Sequence, residues 1–489
     1  MGWPVRVRSP SVLQSKLLCL SLLYLLTTLP LALYVSFTDS GRRRCLQPVP
    51  SPPKPLFQYP AGYGEHRHAL PTSRALCSNP VAFADYQTAL EEIHGLCRDT
   101  SASPALRYQS GRRATFAGNL STQERRSFFN HTDDQVAVPC GFFRDFAVPE
   151  PGEFLHTIAF YTYERTGDFA AHDLAIRRWR LPDRLAMEKC RGVVVASAIM
   201  NDHDKVRQPR GLGAETLRTA CFFLFIDDAT RAALARQGVL PARGGGGGGH
   251  TTVGAWRVVT LVGRRRAGGG GLPYEDPAMN GVVAKHLLHR LFPGARFSVW
   301  VDGKVQLTVD PVLLVHALLV RERADVAVSR HPFNRHTMEE AIATARWRKC
   351  RDVDAVRAQM ETYCANGLRP WSPSKLPYPS DVPDTAVIIR RHGVASDLFS
   401  CLLFNELEAF SPRDQLAFAY VRDLMSPKLS INMFEVEVFE QIAVEYRHNL
   451  KPGRGKRQQG GTRMASSSDI AGSSCEGYLH QMWGESAAE

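Results

Sequence analysis

Across residues 186–450, short apolar runs rich in β-branched and aromatic side chains alternate with amphipathic stretches. The runs "GVVVASAIM", "CFFLFIDD", "WRVVTLV", "RFSVWVDG", "ADVAVSR" and "TAVIIRR" are bounded by turn residues and read as strands. Helical spacing returns between them with start signals: Asp276 before Pro277, Asp310 before Pro311 and Ser411 before Pro412. In "EDPAMNGVVAKHLLHRLFP", Ala284, Leu287, Leu288 and Leu291 fall on one helical face. This alternation predicts an α/β fold, Rossmann-like, with a mostly parallel sheet and helices on both faces. Ligands of such sheets bind outside the carboxyl ends of the strands.

The two ends of the chain read differently. Residues 17–37 carry no charge and are long enough to span a bilayer, with Arg6, Arg8 and Lys16 before them. The run is longer than the apolar core of a cleavable signal and leads into "SGRRRC", so it reads as a transmembrane signal anchor behind a cytosolic tail, residues 1–16. Arg42, Arg43 and Arg44 blur the charge rule for orientation, but sequons at Asn119 and Asn130 favour a lumenal, glycosylated body. Residues 38–75 are proline-rich and suit an extended stem, residues 76–185 form a lead-in segment, and residues 451–489 read as a disordered tail. The glycine runs around Gly244 and Gly268 read as loop insertions, since neither has the lysine and hydroxyl spacing of a phosphate loop.

Composition narrows the chemistry. With 44% hydrophobic residues in 489, the chain can bury a sizeable core. A net charge of +12 fits anionic partners, yet there are neither paired CxxC motifs nor an aromatic RNA-binding strand, which argues against nucleic acid. All but one of the 11 cysteines lie beyond the anchor, where a lumen would permit disulfides; Cys350 with Cys364 and Cys77 with Cys97 are candidate local closures.

The strand "ARFSVWV" ends in Asp302-Gly303-Lys304. An acid at a strand end, with a glycine admitting a ligand to the backbone, suits a phosphorylated donor. In nucleotide-sugar transferases of the A-type fold, an Asp-x-Asp here holds a divalent metal against the diphosphate. Lys304 replaces the second acid and could neutralise the diphosphate itself, so Mn²⁺ is held differently or dispensable. On local pattern alone, Asp302-Gly303 is also an ordinary turn pair. Asp414 and Gln415 lie just after Ser411-Pro412, where Asp414 could serve an acceptor hydroxyl or simply complete a Ser-x-x-acid cap. Arg207, Arg330 and His331 follow strands, where donor contacts would fall, although such a residue is more often a solvated surface one. Lys285 shares a face with His289 and reads as exposed. His286 and His289 lack the glutamate of a zinc-hydrolase helix.

Several ordered motifs carry a resemblance: "PCGFF", "VVASAIMNDHDKVRQP", "LPYEDPAMNGVVAKHLLHRLFPGARFSVWVDGKVQL", "SRH", "SDVPDTAVIIRRH", "LFSCLLFNELEAFSPRDQLAFAYVRD" and "INMF". Over residues 137–450 the chain resembles a plant family of membrane-anchored, glycosyltransferase-like proteins known from seed-mucilage and turgor-regulation mutants. The resemblance implies an A-type glycosyltransferase-like fold in a single-pass type II Golgi membrane protein. It also implies a hexosyltransferase that moves a sugar from a nucleotide sugar, a UDP-sugar, to a cell-wall polysaccharide. The family tends to close with Tyr-His-Arg, whereas here Tyr446-Arg447-His448 stands, so His448 is a weak partner for Asp302 in a metal shell. Two other readings stay open. One is a ceramidase-type lipid amidase, an activity also attached to part of this family, and the other is a non-catalytic carbohydrate-binding protein on the transferase fold.

Overall fold

The computed structural model describes residues 23–30, 56–60, 81–98, 106–109, 120–131, 137–140, 185–241, 251–261, 274–347, 349–448 and 474–483, together with Ser21, Tyr63 and Asp183. Most of the expected anchor and stem, Cys77, Asn119 and both glycine runs lie outside them. Residues 23–30 are helical with Leu23, Tyr24, Leu25, Leu26 and Leu29 exposed; among the described residues no helix is long and apolar enough to cross a membrane.

Eight strands form one sheet: β1 (Gly192–Ile199), β2 (Cys221–Ile226), β3 (Thr251–Val253), β4 (Trp256–Thr260), β5 (Ala295–Val301), β7 (Val326–Arg330), β8 (Pro383–Arg391) and β9 (Ile431–Phe434). Their order is β3-β4-β2-β1-β5-β8-β7-β9, while β6 (Val305–Leu307) and β10 (Ala443–Glu445) make a separate antiparallel pair. The strands β1, β2, β4, β5, β7 and β9 run one way, but β3 and β8 run against them, so the expected mostly parallel sheet is a mixed one. The reversal of β8 follows from its connection. The chain leaves β7, passes through two helices, and returns along residues 371–382 to the edge it left, so "TAVIIRR" enters the sheet from that side.

Alternation along the strands sorts the core onto the two faces. Val194, Ala196, Trp300, Val328 and Ile388 pack on one side with Val283, Phe404 and Tyr420; Val193, Val195, Val299, Ala327 and Ile389 pack on the other with Ile93, Leu314 and Phe439. The second face is covered by α1 (Tyr86–Arg98), part of the lead-in segment, and by α2 (Pro311–Val315). Asp310 caps that helix as its sequence predicts, and its second oxygen accepts from Gly213 N–H at 2.7 Å.

The first face is covered by α3 (Thr337–Arg346), α4 (Val353–Ala365), α5 (Val394–Ala409) and α6 (Asp414–Leu424), together with the capped helix that begins at Pro277. Disulfides join Cys140 to Cys401, Cys190 to Cys221 and Cys364 to Cys475. The expected Cys350–Cys364 closure is therefore replaced by a long-range one, and Cys350 is a buried free thiol. That bridge also orders part of the expected disordered tail: residues Cys475–Trp483 are helical, with Tyr478 buried against the first-face core.

Candidate functional site

The carboxyl ends of β1 and β5 and the amino end of the reversed β8 meet at one edge. Asp302 follows β5, with its backbone N–H held by Ala386 O at 2.8 Å. Trp300 Nε1 donates to Asp302 Oδ1 at 2.7 Å, which fixes the carboxylate. From the last turn of the helix Pro277–His286, Lys285 Nζ reaches Asp414 Oδ2 at 2.8 Å and Asp302 Oδ1 at 3.4 Å, and donates to Thr385 Oγ1 at 3.1 Å. Lys285 is buried rather than exposed. Burial alone would lower its pKa, but the two carboxylates outweigh that and raise it.

Asp414 is saturated. Its Oδ1 accepts from Thr385 Oγ1 at 3.0 Å, and its Oδ2 faces both Lys285 and His286 Nε2, the latter at 3.3 Å. Burial opposes its charge, yet Lys285 and His286 hold the carboxyl far below the usual range. His286 itself is driven down to about 4, chiefly by burial, and Arg390 Nη2 lies 3.3 Å from its Nδ1. An Nδ1 that accepts from the guanidinium places the ring proton on Nε2, aimed at Asp414.

The capping alternative for Asp414 fails: its helix starts at Asp414, and Ser411 Oγ donates instead to Gln359. Neighbouring Gln415 is half-buried, and its Oε1 has no hydrogen-bond partner among the described residues.

A second cluster adjoins the first. Lys304 Nζ pairs with Glu445 Oε1 of β10 at 2.7 Å. Desolvation would lower the Lys304 pKa, but Glu445, Asp302 and Asp384 raise it. Asp384, at the start of β8, is pushed up to about 6 by burial, against the pull of Lys304. A Cβ on Gly303 would stand 3.0 Å from Ile199 Cγ1 and 3.1 Å from Asp204 Oδ2, so the turn lies directly against the loop after β1. In that loop Asp204 Oδ1 meets His448 Nδ1 at 2.8 Å. His448 is thus brought to the neighbourhood of Asp302 through Asp204.

Other residues suggested by the sequence are engaged elsewhere. Arg207 is buried with its guanidinium 3.7 Å from the centre of the Tyr446 ring, and so is not the exposed surface residue the sequence also allowed. Arg330 pairs with Glu435. His331 Nδ1 accepts from the backbone of Phe333 and Asn334 and shapes its own loop. Asn130 is exposed, two residues before the threonine of its sequon.

Part of the donor set around Asp302 is already engaged within the protein. Asp302 Oδ1 is already shared by Trp300 and Lys285, and Asp204 and His448 are bonded to each other. Among the described residues, three metal-ligating side chains converge only at Cys140, His289 and Cys401, where the two cysteines are joined as a disulfide. At the strand end the Lys285 ammonium lies 3.4 Å from Asp302 Oδ1, and the Lys304 ammonium pairs with Glu445.

A family model described as the TOD1/MUCI70 glycosyltransferase-like domain matches residues 177–448. The chain belongs to the TOD1/MUCI70 family. Two members from Arabidopsis thaliana are similar to it. "Alkaline ceramidase TOD1" is 49% identical over 97% of this chain and 98% of its own length. "Probable hexosyltransferase MUCI70" is 35% identical over 70% of this chain and 53% of its own length, so the chain spans about half of that relative. Of solved structures, the apo forms of the WbbM bifunctional glycosyltransferase and of mouse xyloside xylosyltransferase 1 each align over 50% of this chain with a TM-score of 0.24. Their identities are 10% and 7%, and they cover 38% and 84% of those chains. These likenesses are too distant to support the fold, which rests on the sheet itself. Within the TOD1/MUCI70 domain, sequence patterns pointed to Asp302 and Asp414 but not to Lys285, His286, Thr385 or Asp384. The helical face that carries Lys285 reads as amphipathic, and only the helix's packing against β1 and α5 shows that its last turn is buried.

Proposed function

We propose that the chain transfers a hexose from a nucleotide-sugar donor, a UDP-sugar, to a cell-wall polysaccharide, as a type II Golgi membrane protein with its domain in the lumen. One observation carries the reading: Asp302 ends β5 between the ammonium groups of Lys285 and Lys304, at the strand edge where a diphosphate would lie. The family's glycosyltransferase-like domain and the relative named as a hexosyltransferase support it. The exposed leucines of residues 23–30 suit a lipid-facing segment. In this reading the lysines supply the positive charge that metal-dependent relatives of the fold take from a cation.

The test is thermal stabilisation of the full chain in detergent by UDP-glucose, UDP-galactose and UDP-N-acetylglucosamine, with EDTA and with Mn²⁺. Stabilisation by one donor that survives EDTA and disappears in Asp302→Ala supports the reading. No stabilisation of a folded chain by any donor overturns it, and stabilisation that needs Mn²⁺ removes the lysine role.

A second reading, amide hydrolysis of ceramide, is favoured by one fact: the relative that matches nearly the whole chain is named a ceramidase. Release of sphingosine from ceramide by the same preparation, without nucleotide-sugar binding, would select it.

A further inference from the structure

We propose that Asp384, and not Asp414, is the base that takes the acceptor's proton. This rests on the sugar-transfer reading above. Asp414 is a poor base by construction, because Lys285, His286 and Thr385 already occupy both of its oxygens and all stabilise its ionised form. A proton arriving there would have to displace a buried ion pair.

Asp384 is built differently. It is half-buried as the second residue of β8, paired in register with Ser329 of β7 and two residues before Ala386, whose carbonyl holds the Asp302 N–H. One oxygen accepts from Ala386 N–H at 3.1 Å; the other makes no hydrogen bond to the described residues. The charged groups that face it are Lys304 from the β5–β6 turn, Glu445 from β10 and Asp302 from β5. Arg330, beside it on β7, is taken up by Glu435. Desolvation, helped by the two like charges, outweighs the Lys304 ammonium and the Ala386 N–H and raises Asp384 to about 6, suited to a base near neutrality.

The step balances as a single displacement. The acceptor hydroxyl oxygen bonds to the anomeric carbon of the donor sugar as its proton passes to the Asp384 carboxylate. The bond from the anomeric carbon to the phosphate oxygen breaks, and UDP leaves with the electron pair. A single displacement inverts the anomeric centre. With water as acceptor, an α-linked UDP-glucose would first give β-glucose.

The experiment uses the full chain and its Asp384→Asn and Asp384→Glu variants. It measures UDP binding between about pH 5 and pH 8 and UDP release from UDP-glucose, UDP-galactose and UDP-N-acetylglucosamine. Relative to Asp384→Asn, with which it shares the titration of UDP's own terminal phosphate at about pH 6, the wild-type chain should lose UDP affinity as pH rises through about 6, where Asp384 gains its charge, and its release rate should rise over the same interval. In Asp384→Asn the step in the release rate should vanish and only the titration of UDP itself should remain in binding, with UDP still bound and release down by roughly 100-fold or more; Asp384→Glu should restore part of the rate. Unchanged release in Asp384→Asn, an unchanged pH step, or α-glucose as the first product would overturn the base assignment while leaving the donor site standing. UDP bound by the wild-type chain without release from any of the three donors would also retire the base role. Failure of the wild-type chain to bind UDP at all would instead sink the sugar-transfer reading on which it depends.

Discussion

The Lys285 ammonium lies 2.8 Å from Asp414 Oδ2 and 3.4 Å from Asp302 Oδ1, so a single buried cation ties the first turn of α6 to the end of β5. Removing it strands two carboxylates that are poorly exposed. Lys285→Met is expected to cost about 3–5 kcal/mol, the range for breaking a buried pair from one side. Urea unfolding of the two chains checks this; a loss below about 1 kcal/mol would mean that the carboxylates relax to water and that the pair is not buried in solution.

Gly303 is where the strand end and the loop after β1 come closest. Any Cβ there meets Ile199 and Asp204 at 3.0–3.1 Å, and Asp204 in turn holds His448. Gly303→Ala should therefore shift that loop by a few tenths of an ångström, weakening UDP binding several-fold while leaving global stability within about 1 kcal/mol. Isothermal titration beside a urea melt separates the two effects. Equal UDP affinity in the variant would show that the loop takes no part in the donor site.

The C-terminal helix Cys475–Trp483 is held by Cys364–Cys475, which closes a loop of 111 residues, and by buried Tyr478. Cys475→Ser is expected to cost about 2–4 kcal/mol and to make residues 474–483 an early site of proteolysis. Resistance of that helix to protease in the variant would show that Tyr478 alone suffices to dock it.

Much of the sheet was legible in the sequence because its signals are local. All six apolar runs read as strands are strands, and Asp276 and Asp310 cap helices as their spacing with proline predicts. The direction of β8 was not legible, since it depends on where residues 371–382 return, and a strand looks alike in either sense. Of the candidate site, Asp302 could be placed because a strand end has a definite edge. Lys285 and His286 could not, because their partners Asp302, Asp414, Thr385 and Arg390 come from β5, β8 and α6, far apart in the chain. Ser411-x-x-Asp414 misled for a related reason: Gln359 of α4 takes the serine hydroxyl that local pattern assigned to a cap.

His286 gives the protein a definite acid sensitivity. The ring is fully buried, and burial outweighs Asp414 in lowering its pKa from 6.5 to about 4. The folded chain therefore resists the proton that the unfolded chain accepts near 6.5. The contribution to stability is complete above that value and is lost as pH falls towards 4. Between about pH 7.5 and about pH 5 the loss from this one group is about 2 kcal/mol. His286→Gln keeps a donor for Asp414 but cannot titrate. Other titrating groups, such as Asp384 and His392, are common to both chains and cancel in the comparison. The wild-type chain should thus lose about 2 kcal/mol more than His286→Gln over that interval, read from urea midpoints at each pH. If the two chains lose stability in parallel, His286 takes its proton in the fold as readily as in the unfolded chain, and the burial and Arg390 contact that hold its pKa down are not kept in solution.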